Sequence, residues 1–154
     1  MKKTPDTDRL EAMLRGSRIS RSGFMGSDTR PLDEIIASDL AQLASLGRSA
    51  EETAEQMRLI TEKAAEALGN SVRINETAEA EVLEAKGSIP CPWPHNVMCR
   101  KRLTRLTDTE TGDTVQWSDL NIHLIRDHLF FEGHGSDFRI EPRHIVSLLF
   151  KPKG

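Results

Sequence analysis

Apolar positions between residues 31 and 68 recur at helical spacing. Leu32, Ile35, Ile36, Leu40, Leu43 and Leu46 mark one stripe, and Ala50, Ala54, Met57, Ile60, Ala64 and Leu68 mark a second. Pro31 suits a first helical position, where its missing N–H costs nothing. Gly47 can adopt the left-handed conformation that closes the first helix. Ser49 and Glu52 then stand at capping-box spacing, each side chain able to satisfy the other's free backbone N–H. The joint is so short that the pattern predicts an αα-hairpin over 31–70, ending at Gly69-Asn70.

After Asn70 the period shortens. Ser71–Asn75, Glu81–Ile89, Val97–Thr107 and Thr114–Trp117 read as strands, with polar turn chemistry over Asp108–Asp113. Leu103 and Leu106 fall on opposite faces of the third strand, which a bulge or burial on both sides would explain. Ser118 can cap a helix over Asp119–Leu129 that turns Leu120, Leu124 and Ile125 inward. A Gly-rich loop, Phe130–Arg139, leads to a short last helix that starts around Pro142 and runs to Phe150. Helices, then antiparallel strands, then helices define an α+β class: an N-terminal αα-hairpin, a small antiparallel sheet of about four strands, and C-terminal helices.

Charge divides the same chain differently. Residues 1–30 hold seven Lys/Arg against four Asp/Glu and few apolar side chains, which predicts a flexible basic arm with a short helix near Asp8–Leu14. Residues 31–89 hold five basic against twelve acidic residues. The expected organisation is a 1–30 arm, a 31–70 helical hairpin, and a 71–154 unit of sheet and helices with a possible metal site. The whole chain carries a formal charge of −3, so nothing draws it globally toward nucleic acid or acidic membranes. No apolar run approaches a membrane span, and the first residues lead into no secretory h-region. Two cysteines in such a chain suggest a reduced, cytoplasmic protein without a structural disulfide. The hairpin has the outline of a helix-turn-helix, but its second helix carries five Glu against one Arg and one Lys, the wrong charge for phosphates.

Both cysteines and all five histidines lie between positions 91 and 144. The sharpest constellation is Cys91-Pro92-Trp93-Pro94-His95-Asn96-Val97-Met98-Cys99, a stiff turn rich in soft ligands. Thiolates from Cys91 and Cys99 with the His95 imidazole suit Zn²⁺, and the next helix offers His123 and His128. Two sulfurs near a hairpin and two histidines on the following helix resemble, in outline, the ββα zinc-finger family over about 40 residues. The resemblance implies a structural zinc held by Cys91, Cys99, His123 and His128. The spacings depart from it: seven residues separate the cysteines and 23 separate Cys99 from His123, against about two to four and about twelve in the family. His123 and His128 also sit about 140° apart around a helix, so joint ligation requires the last turn to loosen. The alternative set is Cys91, His95, Cys99 and one helix histidine. His128, near the apolar face, is the preferred one, because His123 shares its face with Asp119, Arg126 and Asp127 and reads as solvated. The competing reading makes the cysteines small buried hydrophobes with no metal.

Two further stretches offer polar chemistry. Glu132, His134, Ser136 and Arg139 in the Gly-rich loop suit a ligand loop or an acid/base site, and equally an ordinary helix connection. Arg100, Lys101, Arg102 and Arg105 could contact phosphates or pair with the chain's own acidic block. No P-loop, nucleophile elbow, dinucleotide fingerprint or HExxH sequence is present. The sequence thus points to binding more than to catalysis: a small interaction protein with a structural zinc, whose partner is another protein or a second copy of itself. The alternatives are a nucleic-acid-binding zinc module using the basic arm and Arg100–Arg105, and a metal-assisted hydrolase using Glu132 and His134.

Overall fold

The computed structural model describes residues 5–16 and 23–151. Its elements run α1 (Pro5–Arg15), α2 (Leu32–Ser45), α3 (Ala50–Ala65), β1 (Val72–Asn75), β2 (Ala78–Pro90), β3 (Met98–Asp108), β4 (Thr114–Ser118), α4 (Asp119–His128) and α5 (Pro142–Leu149). The strands form one antiparallel meander in the order β1-β2-β3-β4. The class is α+β.

The predicted caps form. Ser49 accepts from the Glu52 N–H while the Glu52 carboxylate accepts from the Ser49 N–H, and Ser118 with Asn121 repeats the arrangement at the start of α4. Gly47 takes φ +71 where the chain turns from α2 into α3. Leu68 departs from expectation. The helix ends at Ala65, and Leu68, in a left-handed turn at φ 51, is 91% exposed rather than buried.

One face of the sheet (Ala78, Ala80, Val82, Leu106, Val115 and Trp117) packs with Met57, Ile60, Ile122, Ile125 and Ile145 in the main core. At its centre Trp117 Nε1 donates to Thr61 Oγ1 at 2.8 Å, and Thr61 contacts Thr104 Oγ1 at 2.8 Å. Every polar group there has a partner, so α3 is locked to two strands without an unsatisfied donor. Leu103 faces the other side of β3, opposite Leu83, so the opposed leucines reflect the strand's two faces. The sheet's register shifts lie elsewhere, in β2 between Ala85 and Ser88 and in β1 between Arg73 and Asn75.

A second apolar cluster brings Leu14, Phe24, Met25, Leu32 and Ile35 against Leu120, Leu124 and Phe130. The described parts of the 1–30 stretch are therefore packed rather than free. Glu11 accepts from the Leu32 N–H, and Arg15 donates to the carbonyls of Asp28 and Arg30. A few buried apolar anchors (Leu14, Phe24, Met25) achieve this in a segment whose average composition is polar. Among the described residues no helix is long and apolar enough to cross a membrane.

Candidate metal centre

β2 and β3 extend beyond their neighbours: β1 pairs only as far as Ala80, and β4 pairs only with Leu103–Thr107. The ribbon ends in a loop that the Cys91 N–H closes by donating to the Val97 carbonyl at 2.9 Å. Within it the His95 N–H donates to the Trp93 carbonyl, and Asn96 turns the chain at φ 53. This folding sets Cys91 and His95 on the same side of the tip. The last turn of α4 faces them.

Four donor atoms meet there. Cys91 Sγ lies 3.0 Å from His95 Nε2 and 3.5 Å from His128 Nε2. His95 Nε2 is 3.1 Å from His128 Nε2 and 3.3 Å from His123 Nε2. All four ligand atoms fall within 4.8 Å of one another, so Cys91, His95, His123 and His128 form a cluster that could hold a metal ion. His95 Nε2 approaches three other donors, yet one ring nitrogen carries at most one proton and cannot hydrogen-bond with all three.

The surroundings disfavour the charged forms of His123 and His128. Burial and the neighbouring His123 and His95 hold His128 down at about 4, and burial lowers His123 as well. Burial pushes the Cys91 thiol up, so a cation would have to displace its proton. Trp93 stacks on His128 with ring centroids 4.0 Å apart, fixing the ring plane. His123 Nδ1 lies 2.7 Å from Asp127 Oδ2, which turns its Nε2 toward the other donors. The cluster also sits at the C-terminal end of α4, where the helix carbonyls favour positive charge.

Two expectations about ligands are corrected here. His123, read as solvated, has a side chain only 12% exposed and belongs to the cluster, because the hairpin tip covers it. Cys99 does not belong to the cluster. It lies beyond the tip on β3, opposite Ile89, and its side chain packs against the second apolar cluster. Burial pushes that thiol up to about 11.

Apart from exposed Lys101, the other sequence candidates have structural partners. Arg100 pairs with Glu84, Arg105 with Glu81, and Arg102, 7% exposed, bridges Glu62 and Asp119. Glu62, Glu81 and Glu84 all belong to the chain's own acidic block. In the Gly-rich loop, Glu132 is buried and accepts from Asn121 Nδ2 and from the Ser136 hydroxyl. Arg139 makes a bidentate buried pair with Asp39 at 2.6 and 2.8 Å. His134 Nδ1 meets Glu141 at 3.2 Å. None of these groups joins the Cys/His cluster.

The loop's glycines serve packing. A Cβ on Gly133 would fall 2.3 Å from the Met25 carbonyl oxygen, and one on Gly26 would fall 2.2 Å from the Ser136 backbone nitrogen. The Gly133 N–H donates to Phe24 O, and the Ser27 N–H to His134 O. Residues 24–28 and 132–136 are therefore joined backbone to backbone.

Comparison with protein-family models, with curated proteins and with solved structures found no match to this chain.

Proposed function

We propose that the cluster is a structural zinc site that clamps the β2–β3 tip to α4 in a protein whose role is binding rather than chemistry. The observation that carries this reading is the convergence of Cys91, His95, His123 and His128 from two separate segments. A tetrahedral zinc with its usual bond lengths needs N···N edges of about 3.3 Å and S···N edges of about 3.5 Å. The contacts of 3.3 and 3.1 Å between nitrogens and of 3.5 Å from Cys91 to His128 lie close to those edges, while the 3.0 Å from Cys91 to His95 is shorter. One thiolate with three imidazoles favours a borderline-soft ion over Ca²⁺ or Mg²⁺. Four protein donors complete the coordination and leave no position for a reactive water, which favours a structural over a hydrolytic metal.

The internal pairing of Arg100, Arg102 and Arg105 weighs against a phosphate-binding role. Exposed Leu83 opposite Leu103 leaves apolar surface on the outer side of the sheet, in keeping with a protein partner. Elemental analysis of purified, untagged protein, with thermal melts before and after chelation, tests the assignment. The expected result is close to one zinc per chain and a lower melting temperature without it; Cys91→Ser and His128→Ala should each lose most of the metal. Metal-free protein whose melting temperature ignores both zinc and chelator would overturn it.

A further inference from the structure

Resting on the zinc reading, we infer that Asp127 is the outer-sphere positioning residue of the site and sets its affinity through His123. Its carboxylate lies one helical turn from His123, with Oδ2 2.7 Å from Nδ1. A ligating histidine has two nitrogens, and a carboxylate on one fixes the proton there and leaves the other as a lone pair facing the ion. His123 Nε2, the atom turned toward His95 at 3.3 Å, is the one left bare.

The placement of Asp127 supports the same role. It occupies the last turn of α4, where the helix dipole disfavours negative charge. Neighbouring Arg126 is engaged with Glu55, and among the described residues the ion-pair contact of Asp127 is with His123, whose ring burial holds neutral. A carboxylate in this position makes electrostatic sense beside a bound cation. The inventory of charge agrees. One thiolate and Zn²⁺ leave a net positive charge, and Asp127 brings the assembly to neutrality.

Zinc affinity measured by competition with a chromogenic chelator tests this on the full chain. Asp127→Ala should weaken zinc binding about 10- to 100-fold, and Asp127→Asn, which keeps an acceptor without the charge, should fall between. The Co²⁺-substituted spectrum should stay that of a four-coordinate site with one thiolate in both variants, since Asp127 is not itself a ligand. In a His123→Ala background, Asp127→Ala should cost clearly less, because the route through the ring is gone and only the charge acting through space remains. Unchanged affinity in Asp127→Ala, or an equal loss with and without His123, would overturn the inference while leaving the zinc site standing. A wild-type chain that binds no zinc would instead remove the parent reading, and this one with it.

Discussion

Glu132 shows how one buried carboxyl couples folding to pH. It is 2% exposed, and burial raises its pKa to about 7 against the opposing hydrogen bonds from Ser136 and Asn121. The unfolded value is about 4.3, so between the two the folded state holds the extra proton. Stability from this residue is therefore full below the unfolded pKa and is lost as pH rises through about 7, by up to about 3 kcal/mol. Glu132→Gln should remove that slope: its carbonyl can still accept from Asn121, and its amide can donate to Ser136. Urea unfolding at pH 5 and pH 8 should show a smaller difference for the variant than for wild type. An equal difference in both proteins would place the pH dependence elsewhere.

Among elements, the contact between residues 24–28 and 132–136 depends on missing side chains. Gly26 takes φ +56, and an added Cβ would strike backbone 2.2 Å away. Gly47, at φ +71, has nothing within 4 Å of the same position. Gly47→Ala should thus cost only the left-handed backbone strain, about 1 kcal/mol, whereas Gly26→Ala should cost about 2 kcal/mol or more. Urea midpoints of the two variants check this ordering. Helix α4 works in a comparable way as a two-sided element. Ile122 and Ile125 enter the main core, Leu120 and Leu124 enter the second cluster, and His123 and His128 are left for the hairpin tip.

Across the whole molecule, the main apolar cluster closes without the metal site, whereas the second includes Cys91 and has Trp93 and Val97 of the tip packed against it. Chelation should therefore loosen the tip and the edge of the second cluster first and leave the main core folded. Hydrogen exchange should rise at the amides of residues 91–97 and at the end of α4, with α3 and the centre of β3 staying protected. Uniform loss of protection on chelation would mean that the clamp holds the whole fold.

The alternation and caps in the sequence were enough to mark the two helices between residues 31 and 70, the four strands and both C-terminal helices, because each depends on local periodicity and on neighbours within four residues. The same local signals marked Cys91, His95, His123 and His128 as metal-ligand chemistry. They did not separate Cys99 from the cluster, and they set His123 behind His128 as solvated, since both depend on which face of α4 the ribbon tip covers. Nor could composition show that Leu14, Phe24 and Met25 anchor a polar stretch, because three buried side chains barely move an average. Asp127 carried no signal either: a carboxylate in a last helical turn acquires its meaning from the ring 2.7 Å away. Local order follows from the chain's own pattern; which side chains meet across distant segments was decided by the packing of the ribbon against the helix.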